Sequence, residues 1–159
     1  MGEPVATQNP GLRTANIEDL DAMWAIERSV FQGEAWSLEL MREELLGPHR
    51  TYLALEDGRG ELLGYGGVLA LGEEGDIQTI ALVPKARGRG LGRTLLNGLL
   101  DEARRRRVSQ VFLEVRADKL AARTLYTSTG FQEIAVRPKY YQPDNVDAVV
   151  MRLLMENRR

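Results

Sequence analysis

The stretch of the chain best suited to chemistry is a glycine-rich loop that follows an apolar segment. The segment and loop read Ile80-Ala81-Leu82-Val83-Pro84-Lys85-Ala86-Arg87-Gly88-Arg89-Gly90-Leu91-Gly92-Arg93. Glycines let backbone N–H groups turn toward an anion, and a helix N-terminus adds the positive end of its dipole. Because lysine and arginine side chains surround these glycines, the sequence predicts a phosphate-binding loop.

Two well-known phosphate motifs do not fit this loop. With the second glycine of a Walker loop at Gly92, the lysine position holds Arg93 and the first glycine position holds Arg87. A dinucleotide fingerprint fails because Gly88 and Gly90 are followed by Arg93 where a third glycine is needed. Taken alone, the loop is equally compatible with an arginine-rich solvated turn, and that alternative stays open.

The elements around the loop are predicted in the order β-α-α-β-β-β-α-β-α-β-β. The strands fall at 12–15, 51–56, 62–71, 76–83, 111–115, 131–136 and 148–154. Hairpin turns are indicated at Asp57-Gly58-Arg59-Gly60 and Gly72-Glu73-Glu74-Gly75. The middle of the chain is therefore predicted to be an antiparallel meander.

Helix boundaries are predicted from capping residues. Asn16, Ser37 and Asp118 are placed to cap three helices. Gly47 offers a left-handed end to the second helix, and Gly130 ends the last one. The helix after the glycine-rich loop carries an apolar stripe at helical spacing, formed by Leu91, Leu95, Leu96, Leu99, Leu100 and Ala103.

Composition narrows the class of protein. The 159 residues are 43% hydrophobic and carry a net charge of -2, which suits a globular domain and gives no overall attraction for nucleic acid. There is no cysteine, and the single histidine, His49, is expected in a turn, so a metal site is not predicted. We expect a flexible tail over 1–11, one domain over 12–155, no membrane association and a cytoplasmic location.

The loop spacing Arg87-x-x-Gly90-x-Gly92 resembles the coenzyme A loop of the GNAT acetyltransferases. A second signature, Leu113-Glu114-Val115-Arg116 followed by Ala122-x-x-Leu125-Tyr126-x-x-x-Gly130-Phe131, is similar to the next strand and helix of that family. The resemblance spans 12–155. It implies a mixed α/β fold with a mostly antiparallel sheet of about seven strands, about four helices, and a splay between the fourth and fifth strands.

The same resemblance implies an acetyl-CoA-dependent N-acetyltransferase. The backbone at Ile80, Ala81 and Leu82 would receive the coenzyme arm, with the Leu82 N–H directed at the thioester oxygen. The loop residues Arg87, Gly88, Arg89, Gly90, Leu91, Gly92 and Arg93 would hold its pyrophosphate. Glu114 would be the general base and Tyr126 the general acid. From the residues alone, Glu114 could instead lie on a solvated strand face, and Tyr126 could fill a core.

Further segments are similar to those GNAT enzymes that acetylate the N-terminal alanine of ribosomal proteins. They are Ala35-Trp36-Ser37 and Arg137-Pro138-Lys139-Tyr140-Tyr141. The likeness implies a protein N-terminus as acceptor, with Trp36, Tyr140 and Tyr141 lining its groove, although all three could be packing residues. A lysine side chain, a small amine, or a non-catalytic acyl-CoA-binding module are the alternatives.

One position departs from this pattern. Where those enzymes usually carry an asparagine that contacts the coenzyme, just after Asp118, this chain has Lys119. The lysine could reach a coenzyme phosphate as a point charge, or it could simply be exposed at a helix start. Both alternatives stay open.

Overall fold

The computed structural model of the protein describes residues 10–155, which form seven strands and four helices. The strands are β1 (Gly11–Thr14), β2 (Arg50–Glu56), β3 (Leu62–Leu71), β4 (Glu74–Leu82), β5 (Gln110–Arg116), β6 (Gln132–Tyr141) and β7 (Val146–Leu154). The helices are α1 (Leu20–Phe31), α2 (Leu38–Leu46), α3 (Leu91–Arg105) and α4 (Leu120–Thr129). The predicted element order is confirmed. Over residues 10–155, no helix is long and apolar enough to cross a membrane.

The strands are hydrogen-bonded in the order β1-β2-β3-β4-β5-β7-β6. The β1–β2, β2–β3, β5–β7 and β6–β7 pairs are antiparallel, whereas β4 and β5 are parallel. The parallel ladder joins Glu74–Asp76 to 110–112, and β4 continues beyond it to Leu82. The mostly antiparallel seven-stranded sheet with a splay between its fourth and fifth strands is therefore confirmed.

The described residues group into two compact units. The first unit contains 10–69 and 78–102, and the second contains 70–77 and 103–155. The predicted tail over 1–11 lies mostly outside the described residues, and its last residue, Gly11, begins β1.

The first unit has an apolar core between helix and strand side chains. Leu20, Met23 and Ile26 of α1 are buried at 5%, 1% and 6% exposure. They belong to the same cluster as Tyr52 of β2 and Tyr65 of β3. The three α1 residues recur at helical spacing, so they form one apolar stripe that faces this core.

Local turn chemistry explains the first hairpin of the meander. The Asp57 carboxylate accepts hydrogen bonds from the backbone N–H groups of Arg59 and Glu61, both at 2.9 Å. Gly60 takes the left-handed φ of 86° that closes the turn without a Cβ clash. The turn predicted from Asp-Gly-Arg-Gly is confirmed, and it sets β2 antiparallel to β3.

The second unit shows the alternation of a half-buried strand. Val111, Leu113 and Val115 of β5 are buried, whereas Glu114 between them is exposed on the opposite face. Helix α4 ends where predicted, at Gly130, whose φ of 119° lies in the left-handed region.

The predicted left-handed end of α2 at Gly47 is wrong. Gly47 has a φ of -72° and a ψ of 157°, which is extended backbone, and the left-handed residue is His49 with a φ of 65°. A Cβ on Gly47 would lie 2.9 Å from the carbonyl oxygen of Glu43. The glycine therefore permits a close approach of the chain to the helix end. His49 lies in a turn, as predicted.

The predicted helix cap at Asp118 is also wrong. Lys119 immediately precedes α4 and makes no side-chain capping bond. The Asp118 carboxylate instead accepts hydrogen bonds from Nε and Nη2 of Arg116, both at 3.0 Å. A charge-assisted pair with a guanidinium is stronger than a neutral capping bond, so the carboxylate turns back toward β5.

Candidate active site

The glycine-rich loop lies in the first unit, between β4 and α3. Ala86 and Leu91 anchor its two ends, at 0% and 9% exposure. Between them, Gly88 and Gly90 have left-handed φ values of 74° and 78°, and a Cβ on either would meet no atom within 4 Å. The loop thus combines exposed backbone with space for a ligand above it, as a phosphate-binding loop requires.

The start of α3 adds the first backbone N–H groups of a helix to the loop. The N–H of Thr94 donates to the carbonyl of Gly90 at 3.2 Å, so the N–H groups of 91–93 precede the helical hydrogen-bond ladder. Arg89 is exposed and makes no ion pair with any residue of 10–155. The backbone N–H groups, the helix dipole of α3 and the Arg89 guanidinium together suit a diphosphate.

Arg87 ties the loop to the end of β4. Its Nη2 and Nε donate to the carbonyl oxygen of Leu82 at 3.0 and 3.3 Å. The next residue, Val83, donates its N–H to Leu63 of β3 at 2.9 Å. Since successive strand residues direct their backbone groups to opposite sides, the Leu82 N–H points away from β3. The predicted residues Ile80 and Ala81 precede it on β4, with Ala81 buried.

Glu114 lies in the second unit, on the exposed face of β5. Its Oε2 forms an ion pair with Nε of Arg137 at 2.8 Å, and the Glu114 side chain is 31% exposed. Its other oxygen, Oε1, makes no hydrogen bond to the described part of the chain. Arg137 thus fixes one carboxylate oxygen of Glu114, and the other oxygen can accept a hydrogen bond from a ligand.

Tyr126 also lies in the second unit, on α4. Its side chain is 8% exposed, and its ring packs edge-on against Phe131 with centroids 5.9 Å apart. Burial, with a smaller contribution from Tyr141, raises the pKa of Tyr126 to about 12. Its hydroxyl makes no hydrogen bond to residues 10–155. The Tyr126 phenol is therefore protonated at neutral pH, and its O–H has no acceptor among residues 10–155.

The predicted groove residues of the second unit lie at the end of β6. Tyr140 is 51% exposed, and its ring contacts that of Tyr141 edge-on at 5.1 Å. Tyr141 in turn lies 5.4 Å from the guanidinium of Arg116. Lys119 is exposed before α4, which leaves both interpretations of that residue open.

Trp36, the predicted groove residue of the first unit, packs against the core of that unit. Its backbone N–H donates to Oε2 of Glu27 at 2.9 Å, and its carbonyl accepts Nε1 of Trp24 at 3.1 Å. The segment between α1 and α2 is thereby fixed to α1 on both sides. A role of Trp36 in acceptor binding stays a prediction.

Two carboxyl groups with raised pKa values were not singled out by the sequence. Burial is the main cause at Glu27, which is 2% exposed and whose Oε1 accepts the hydroxyl of Tyr65. Burial also raises the pKa of Asp76 on β4, together with the negative charges of Glu74 and Glu114. Only the place of Glu27 on the apolar stripe of α1, four residues after Met23, could have indicated it.

Within residues 10–155, no group of three or more His, Cys, Asp or Glu side chains is placed so that it could hold a metal ion.

The sequence matches the Acetyltransferase (GNAT) family over residues 18–131, more than half of the chain. The chain belongs to this family and is an N-acetyltransferase, as the loop and strand motifs predicted.

Its relatives define the likeness more narrowly. The chain is 41% identical to the N-alpha-acetyltransferase RimI of Mycobacterium tuberculosis, over 80% of this chain and 81% of that protein. It is 33% identical to a candidate ribosomal protein bS18-alanine N-acetyltransferase of Bacillus subtilis, over 88% and 92%. The crystal structure of the ribosomal-protein-S18-alanine N-acetyltransferase of Escherichia coli superposes with a TM-score of 0.87 at 29% identity, covering 95% and 97%. The predicted resemblance to RimI is confirmed.

Proposed function

We propose that this protein transfers an acetyl group from acetyl-CoA to the N-terminal α-amine of a protein, and that its acceptor is a ribosomal protein beginning with alanine. The reaction would take place in the cytoplasm, where ribosomal proteins are made. The proposal assigns three tasks to residues of the chain: holding the coenzyme, moving two protons, and accepting only a suitable amine.

The first unit carries the coenzyme-binding residues. The pyrophosphate is assigned to the N–H groups of the loop and of the start of α3, with Arg89 and Arg93 supplying charge. Arg87, bound to the Leu82 carbonyl, braces the loop. Acetyl-CoA supplies an activated thioester. The Leu82 N–H is assigned to its oxygen, where negative charge develops during attack.

The second unit carries the proton-transfer residues. Glu114 takes a proton from the attacking nitrogen as the N–C bond forms, using Oε1, which has no other partner in the described residues. Tyr126 gives its proton to the thiolate that leaves as the C–S bond breaks. Its pKa near 12 keeps the phenol protonated at neutral pH. Proton exchange with water restores both groups.

The acceptor follows from the strength of the base. An α-amine has an ordinary pKa of about 7.7 to 8.0, against about 10.4 for lysine, so near neutrality it offers roughly a few hundred times more neutral nucleophile. A carboxylate is a weak base, and it suits an amine that is already partly deprotonated. Tyr140 and Tyr141 supply aromatic surface beside Arg137 on which a peptide backbone could pack.

The observation that carries the proposal is the likeness to RimI and to an alanine N-acetyltransferase over four fifths or more of both chains. The test is a mass-spectrometric screen in which the enzyme and acetyl-CoA meet peptides that differ in their first residues. We expect acetylation at the α-amine, with alanine preferred. Acetylation only at lysine side chains, or of free amines but no peptide, would overturn the proposal.

A further inference from the structure

The row of side chains around Glu114 contains a cation that the proposed mechanism does not use. The β5–β7 register sets Glu114 beside Val150 and Arg116 beside Ala148. The β6–β7 register sets Arg137 on the other side of the same Ala148. All these side chains share one face of the second unit's strands, because paired positions lie on one face, and Ala148 is covered there at 0% exposure.

Arg137 reaches Glu114 across β7. Ala148 stands between the two outer strands, and its methyl group leaves room for an arginine side chain to pass over it. Nε of Arg137 lies 2.8 Å from Oε2 of Glu114. The guanidinium also lies 5.7 Å from the ring centre of Tyr140, within the range of a cation–π contact.

Other charged side chains lie on the same face as Glu114, and their partners show which cation pairs with it. Asp76 and Glu74 of β4 are acidic, and the pKa of Asp76 is raised by burial and then by the charges of Glu74 and Glu114. Two further arginines, Arg116 and Arg152, lie on the face by register. Arg116 is shared between Asp118 at 3.0 Å and Asp144 at 3.4 Å. Arg116 is therefore engaged with other carboxylates, and Arg137 is the cation that pairs with Glu114.

We propose that Arg137 is a positioning residue for the acyl transfer: it holds Oε2 of Glu114 so that Oε1 faces the acceptor. This inference rests on the general-base role in the proposed function. A carboxylate that rotates freely spends less time in a productive geometry. Removal of the guanidinium therefore lowers the rate.

The experiment measures kcat/KM for a peptide with a free N-terminal alanine, in Arg137→Ala and Arg137→Lys. Arg137→Ala should lose roughly tenfold, a part of the 10² to 10⁴ attributed to a whole general base. Added guanidinium ion should restore part of the activity, and Arg137→Lys should retain most of it.

Arg123→Ala is the matched control, because it removes an arginine of the same unit that pairs with Glu133 of β6. Guanidinium should not change its rate. A loss in Arg137→Ala that guanidinium ion does not restore, or an equal loss in Arg137→Lys, would overturn the positioning role. Wild-type rates in Glu114→Gln would instead overturn the general-base role. The two failures are thus distinguishable.

Discussion

The carboxylate of Glu27 on α1 accepts a hydrogen bond of 2.9 Å from the backbone N–H of Trp36, which fixes the segment between α1 and α2 to α1. The other carboxylate oxygen accepts the Tyr65 hydroxyl. A buried acid with two donors is satisfied as a carboxylate, yet burial still dominates and raises its pKa. The first unit therefore contains a titratable group beneath a segment that we associate with the acceptor.

This burial makes stability depend on pH. The native pKa of Glu27 is raised above the unfolded value of about 4.5, so the native state binds the proton more strongly. The resulting stabilisation is full below about pH 4.5 and is lost as the pH rises through the native pKa. The side chain of Glu27→Gln does not titrate, so this variant lacks the pH-dependent stabilisation. We expect the unfolding free energy of wild type minus that of Glu27→Gln to decrease with rising pH.

Denaturant unfolding of both proteins at a series of pH values from 4 to 8 measures this difference. The Gln side chain has one acceptor oxygen where Glu27 has two, so the variant loses the hydrogen bond from Trp36 or from Tyr65. This loss adds an offset that does not vary with pH, so the slope is the informative quantity. Parallel stability curves would show that Glu27 does not titrate with a raised pKa.

The loop glycines test coenzyme binding. Gly90→Ala should weaken acetyl-CoA binding strongly, because it places a methyl group over the loop and strains a residue with a φ of 78° by about 1–2 kcal/mol. Calorimetry gives the affinity. In wild type, acetyl-CoA at a hundredfold excess over Kd should stabilise the fold by about 2.7 kcal/mol.

Gly60→Ala is the matched control for Gly90→Ala. Gly60 belongs to the same unit, has a φ of 86° and also lacks neighbours within 4 Å of an added Cβ, but it lies in the β2–β3 hairpin. The Gly60→Ala variant should lose about as much stability as Gly90→Ala and keep the wild-type affinity for acetyl-CoA. Equal affinities in both variants would remove the loop from the coenzyme site.

The proton-transfer residues are tested by Glu114→Gln and Tyr126→Phe. Each should slow turnover by about 10² to 10⁴, the usual effect of losing a general acid or base. The Tyr126 hydroxyl has no hydrogen bond within 10–155, so Tyr126→Phe should leave thermal stability almost unchanged and separate catalysis from packing. Affinity for acetyl-CoA should stay near that of wild type in both variants. Unchanged rates across pH would make both residues structural.

Short-range chemistry accounts for what the sequence could predict. The leucine stripe of α3, the Asp57 turn and the left-handed Gly130 depend on neighbours within a few positions, and all were predicted. Gly47 was assigned the wrong backbone, because a close approach to Glu43 favours glycine there as strongly as a left-handed φ does. Local patterns do not distinguish the two causes.

Contacts between distant positions account for what the sequence missed. The Arg137–Glu114 pair depends on the β5-β7-β6 strand order and on the small Ala148 between them. No spacing along the chain encodes that arrangement. Asp118 is a different case, because its partner Arg116 lies only two residues earlier. The sequence shows both residues but not whether the carboxylate turns to the guanidinium or to the start of α4.

The acceptor is the central claim, and one pair of peptides tests it most directly. The first peptide has a free N-terminal alanine and no lysine, and the second has a blocked N-terminus and an internal lysine. Each is incubated with enzyme and acetyl-CoA, and acetylation is measured by mass spectrometry. A Glu114-assisted reaction on an α-amine predicts that the first peptide is acetylated at its N-terminus and that the second is not. Acetylation of the blocked peptide alone would contradict the account.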